Sequence, residues 1–110
     1  MVYEHKIPYE LHITTGPLPV SEISNFVSFC TRNEAKPLLI ELARGEFIRQ
    51  PMFNKILRLG SLEEALIKAT EFSSQLKAEN FNVQRLKIEI PSDCSDVWSK
   101  EEHDFDGLGQ

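Results

Sequence analysis

Cysteine is scarce in this chain. The 110 residues contain two, Cys30 and Cys94, and they form no CxxC pair. So few thiols exclude a disulfide framework and point to a reducing compartment. Long apolar runs are missing as well: none approaches the ~20 residues that cross a bilayer. The opening MVYEHKIPYE holds no apolar signal-peptide core. No membrane partner is expected, and the expected location is cytoplasmic.

A cationic surface is lacking too. The net charge is −5. Residues 91–110 carry Asp93, Asp96, Glu101, Glu102, Asp104 and Asp106 against Lys100, which accounts for the whole of it. The rest of the chain is electrically neutral, which argues against nonspecific nucleic-acid binding. There is no glycine-rich phosphate loop; the glycine of RGEF stands alone and reads as a turn. No Ser/His/Asp or Cys/His arrangement can be argued. Glu4 and His5 are one carboxylate and one imidazole with no second cluster, so no metal site and no cofactor is expected.

What is present is enough for one folded domain. Hydrophobic residues make up 41%, and a chain this long buries roughly 65% of its unfolded surface without staples. In YELHITTG, Tyr9, Leu11, Ile13 and Thr15 alternate with Glu10, His12 and Thr14, the period of a half-buried strand. A helix follows from Val20 to Glu34, with Ile23, Phe26, Val27 and Cys30 on one face and Ser21 as its cap. Pro37 opens a second strand, PLLIELA, in which Leu38, Ile40 and Leu42 face the core and Leu39 and Glu41 face away. Met52 to Leu59 reads as the third strand. Ser61 and Glu64 have capping-box spacing, and Leu62, Ala65, Leu66, Ala69, Phe72 and Leu76 make the stripe of a second helix. Asn80 stops it. The fourth strand, NVQRLKIEI, turns Leu86, Ile88 and Ile90 inward and Arg85, Lys87 and Glu89 outward.

This order, βαββαβ, is that of an α+β, ferredoxin-like split βαβ domain over residues 1–91. It predicts a four-stranded antiparallel sheet with two helices on one face. The other face is left uncovered. Residues 92–110 follow as an acidic polar tail, flexible or docking through Trp98 and Phe105.

The open face carries Glu10, His12 and Thr14, with Arg85, Lys87 and Glu89. If Leu57 and Leu59 point inward, Met52, Asn54, Ile56 and Arg58 join them. Leu39, Met52 and Ile56 are the candidate interface residues. His12-x-Thr14 resembles half of the active site of the two-histidine phosphoesterases. The resemblance implies a histidine acid or base and a threonine that holds a phosphate oxygen. Those enzymes need two such motifs, and neither His5 nor His103 is followed by x-Thr. The anion contacts on that reading are His12, Arg58, Lys87 and Arg49.

Three further features carry a second resemblance: Tyr3-Glu4-His5; Ala43-Arg44-Gly45 with Gln50-Pro51-Met52; and Phe81, Val83, Arg85 with Lys87-Ile88-Glu89. They resemble an uncharacterised family of bacterial ferredoxin-like domains that occur in tandem. The resemblance implies a bacterial source and a pairing of domains, and it supplies no activity. The sequence therefore favours a small non-enzymatic domain that forms a homo-oligomer or binds a protein partner through its open face. A phosphate-ligand binder or phosphoesterase using His12 and Thr14 is the alternative.

Overall fold

The alternation of the first apolar segment becomes β1, Ile7–Thr15, with Tyr9, Leu11, Ile13 and Thr15 buried and the even-numbered residues half-buried on the other face. The computed structural model describes residues 6–40, 47–48, 50–90 and 101–106, with the backbone alone at 47–48 and 101–106. The remaining elements are β2 (Leu18–Pro19), α1 (Ile23–Arg32), β3 (Lys36–Leu38), β4 (Phe47–Ile48), β5 (Met52–Leu59), α2 (Leu62–Ala78), β6 (Val83–Ile90) and β7 (Glu101–Asp106).

The fold is α+β. Its main sheet is antiparallel, in the order β3-β5-β1-β6-β7, while β2 and β4 form a separate two-residue pairing. Four of these strands and both helices were expected from the sequence. The difference is β7, which pairs with β6 from Arg85↔Asp106 to Ile90↔Glu101. β6 is therefore an interior strand and not an edge. Trp98 lies outside the described residues.

Both helices bury side chains in the same cluster as the inward residues of β1 and β6, so they share one face of the sheet. Phe26, Phe29 and Cys30 come from α1; Ala65, Ala69 and Leu76 come from α2. Phenylalanines link the layers: Phe29 meets Phe53 at 5.8 Å and Phe81 at 6.4 Å, and Phe53 meets Phe72 at 5.1 Å between ring centroids. Such separations suit the tilted and edge-on contacts that aromatic quadrupoles favour.

Helix boundaries follow local chemistry in three of four cases. Ser61 caps α2 by accepting from the Glu64 backbone N–H at 3.1 Å. Asn80, at φ 70°, ends it, and the Phe81 N–H returns to the Leu76 carbonyl at 3.0 Å. Glu34, at φ 53°, closes α1 in the same way, with Ala35 N–H on Cys30 O at 2.8 Å. Ser21 does not cap α1: it lies inside a 3-10 turn over Val20–Glu22, and the helix start has no side-chain cap.

The second predicted strand also differs. β3 begins at Lys36 and ends at Leu38, and Leu38 pairs with Met52 while Pro37 pairs with the buried Phe53. Leu38 thus shares the open face, Pro37 takes the inward position, and Leu39 lies beyond the last paired residue. The proline marks the strand, but the ladder to β5 sets its parity.

Candidate functional site

The registers of β1, β5 and β6 bring the open-face residues together. His12 sits opposite Asn54 on one side and Lys87 on the other. Glu10 is opposite Ile56 and Glu89, and Thr14 is opposite Met52 and Arg85. Phe53, Leu57 and Leu59 pack on the core side, so Met52, Asn54, Ile56 and Arg58 do lie on the open face.

His12 is the hub. Its side chain is only 17% exposed, so it is neither flat on the surface nor fully wet. Nδ1 is hydrogen-bonded to Asn54 Oδ1. Nε2 lies 3.3 Å from Glu89 Oε1 and 3.8 Å from Glu10 Oε2. The Asn54 amide nitrogen in turn donates to the Lys36 carbonyl at 3.3 Å and the Met52 carbonyl at 3.2 Å. A chain of polar contacts therefore crosses β3, β5, β1 and β6. Among the described residues, Glu10, His12 and Glu89 are the set of donors close enough to hold one cation, all within 4.8 Å of one another.

Beside His12 is a shallow cleft of about 220 Å³, lined by His12, Thr14, Met52, Arg85, Lys87 and Glu89. A second, of about 420 Å³, lies on the β3 side between Glu10, Glu34, Lys36, Asn54, Lys55 and Ile56. Of the expected anion contacts, His12, Thr14 and Lys87 meet in the first cleft. Arg58 does not: it is opposite Pro8, four residues along β5 from Asn54, or about 13 Å at the rise of a strand. Arg49 lies outside the described residues.

The aliphatic part of the face follows β5 and β3. Ile56 is 61% exposed and Leu38 is 42% exposed. Leu39 is also exposed, just past β3, and Met52 is half-buried between Leu38 and Thr14. The open face of β1 and β6 is thus mainly ionic, while on β5 and β3 the apolar Leu38, Met52 and Ile56 alternate with Lys36, Asn54 and Arg58. Sequence reasoning placed Glu10, Asn54 and Glu89 on the open face but assigned them no joint role. The signal for Glu10 with His12 is their i, i+2 spacing; Glu89 and Asn54 join only through strand pairing.

Among the described residues, no helix is long and apolar enough to cross a membrane. No family model, curated protein or solved structure matches this chain. The functional reading therefore rests on the geometry of the open face.

Proposed function

We propose that this chain is a small, non-enzymatic, cytoplasmic bacterial domain that self-associates through its open sheet face. The observation that carries this reading is Ile56. It is an isoleucine on the open face of β5, paired with Glu10 of β1 and two residues beyond the last pair with β3, and it is 61% exposed. Together with the exposed Leu38 and Leu39 it leaves apolar surface on the sheet face, which favours a covering partner. The face also suits a second copy of itself. It carries Glu10 and Glu89 among Lys36, Arg58, Arg85 and Lys87, so a two-fold axis can set acidic positions against basic ones while Leu38, Met52 and Ile56 meet. A protein partner of different sequence would use the same three apolar residues.

The ferredoxin-like split βαβ topology is part of this proposal. The neighbours β3-β5-β1-β6 and the strand–helix–strand order of each half support it, with β7 as an addition outside β6. The kinship with the uncharacterised bacterial domain family is likewise proposed. Gln50, Pro51 and Met52 of its motif enter β5, and Tyr3-Glu4-His5 and Ala43-Arg44-Gly45 lie outside the described residues. A free, buried Cys30 agrees with a cytoplasmic location.

The test is sedimentation equilibrium on wild type and Ile56→Arg. The wild type should show a concentration-dependent dimer and the variant a monomer with an unchanged circular dichroism spectrum. A wild type that stays monomeric at its solubility limit would refute self-association.

The phosphate reading retains one favourable observation: Thr14, Arg85 and Lys87 line the cleft with His12. Its difficulty is chemical. The Nε2 atom faces Glu10 and Glu89, where a phosphate oxygen would meet two carboxylates. Inorganic phosphate that stabilises the wild type, but not a His12→Ala, Thr14→Ala double variant, would favour this alternative.

A further inference from the structure

We infer that Glu10, His12 and Glu89 form a binding site for one divalent first-row transition cation, with Asn54 as the residue that orients the imidazole. Asn54 is locked in one orientation. Its side-chain nitrogen donates to two backbone carbonyls, of Lys36 and Met52. Carbonyls only accept, so the amide cannot be turned over, and its oxygen is the atom presented to His12. That oxygen also only accepts, so His12 Nδ1 must carry a proton. The tautomer of a neutral His12 is thereby fixed, with the Nε2 lone pair directed at Glu89 and Glu10.

A neutral His12 sets this lone pair against two carboxylate oxygens at 3.3 and 3.8 Å, a contact relieved by a positive charge shared among the three groups. A metal ion supplies that charge, and the spacing suits one. Ligands about 2.1 Å from a tetrahedral zinc stand about 3.4 Å from one another. The two histidine–carboxylate separations, 3.3 and 3.8 Å, lie near that figure, and all three donors fall within 4.8 Å. An N–H hydrogen-bonded to a carbonyl on the far side of the ring is also the arrangement that orients metal-bound histidines in general.

The scaffold supports the same conclusion. All three ligands come from β1 and β6, neighbouring interior strands, where Glu10 is directly opposite Glu89 and His12 is two residues along on the same face. Glu89 is 14% exposed and His12 17%, so water competes weakly at those two donors; Glu10, at 32%, forms the open side. One imidazole nitrogen and two carboxylate oxygens suit Zn²⁺ and its first-row neighbours better than Mg²⁺, which favours oxygen ligands throughout. The two glutamates balance the charge of a divalent ion. Lys87, opposite His12, opposes binding and limits affinity. Three protein ligands leave a coordination position, and the cleft lined by Thr14, Arg85 and Lys87 adjoins it.

The competing occupant of the space between the three groups is a second proton on His12, which would make it an imidazolium paired with both glutamates. The experiment separates the two. Chelator-treated protein comprising residues 1–110 is titrated with Zn²⁺ near neutral pH by calorimetry and by long-range ¹H–¹⁵N spectroscopy of the imidazole rings. We expect one equivalent to bind, with the His12 Nε2 resonance moving and Nδ1 remaining protonated. Asn54→Ala should weaken binding by about tenfold, the lower end of the effect of orienting partners, and His12→Ala or Glu89→Gln by more. A His5→Ala, His103→Ala variant should bind as the wild type does. No binding, an Nε2 signal that Zn²⁺ leaves in place, or binding that survives His12→Ala would each overturn the site. The spectroscopic arm uses the wild type, so the outcome does not depend on the variants folding.

Discussion

Lys55 reaches from the core side of β5 to the end of α1, where its ammonium nitrogen lies 2.6 Å from the Asn33 carbonyl oxygen. It also donates to the Glu34 carbonyl at 3.1 Å, and it stands 6.0 Å from the centre of the Phe72 ring. The last carbonyls of a helix have no partners within the helix and carry the negative end of its dipole. A strand lysine thus adds to the turn at Glu34, which closes α1, by binding the two carbonyls that follow the helix. Lys55→Met keeps the apolar stem and removes the donors. Hydrogen bonds to charged groups contribute about 1.5–3 kcal/mol, so chemical denaturation should show a loss of about 1.5 kcal/mol. An unchanged midpoint would mean that water replaces the ammonium without cost.

Ser73 has the opposite character. It is buried on the inner face of α2, and among the described residues its hydroxyl finds no hydrogen-bond partner. An unsatisfied buried hydroxyl costs about 1 kcal/mol or more, and alanine is the better helix former. Ser73→Ala should therefore stabilise the protein by about 1 kcal/mol, which raises the melting temperature by roughly 4–8 °C for a domain near this size. A lower melting temperature in differential scanning calorimetry would contradict this account of the site.

Cys30 yields a prediction about pH. Burial pushes its thiol up to about 12 from an ordinary 9.0. Between those values the unfolded chain has lost the proton and the folded chain retains it. The folded state then binds more protons, so this contribution to stability is present below pH 9 and is lost as pH rises toward 12. The stability difference between wild type and Cys30→Ala should narrow across that window when measured by denaturant unfolding. A flat difference would show that the thiol is solvated in the folded protein.

Elements governed by neighbours in the chain were legible in the sequence. The alternation from Tyr9 to Thr15, the cap at Ser61 and the stop at Asn80 all stand in the structure as read. Ser21 misled because a hydroxyl before a helix can cap only from the right backbone conformation, and a 3-10 turn occupies that position. Leu38 misled because a three-residue strand has too little alternation to fix its own parity, which the pairing with Met52 decides. Phe29, fully in the core, was missed beside the stripe of Ile23, Phe26, Val27 and Cys30.

By itself, the sequence determined the two helices, the strands that flank them and which residues of β1 and β6 face inward. Those features follow from periodicities of 3.6 and 2 imposed by the backbone angles of each residue. Only the tertiary structure decided that β7 pairs with β6, that Lys55 binds the carbonyls at the end of α1, and that Glu10, His12, Asn54 and Glu89 converge. Those relationships depend on register between strands distant in the chain. A ladder shift of one residue would leave every local propensity unchanged and send each of these side chains to the opposite face.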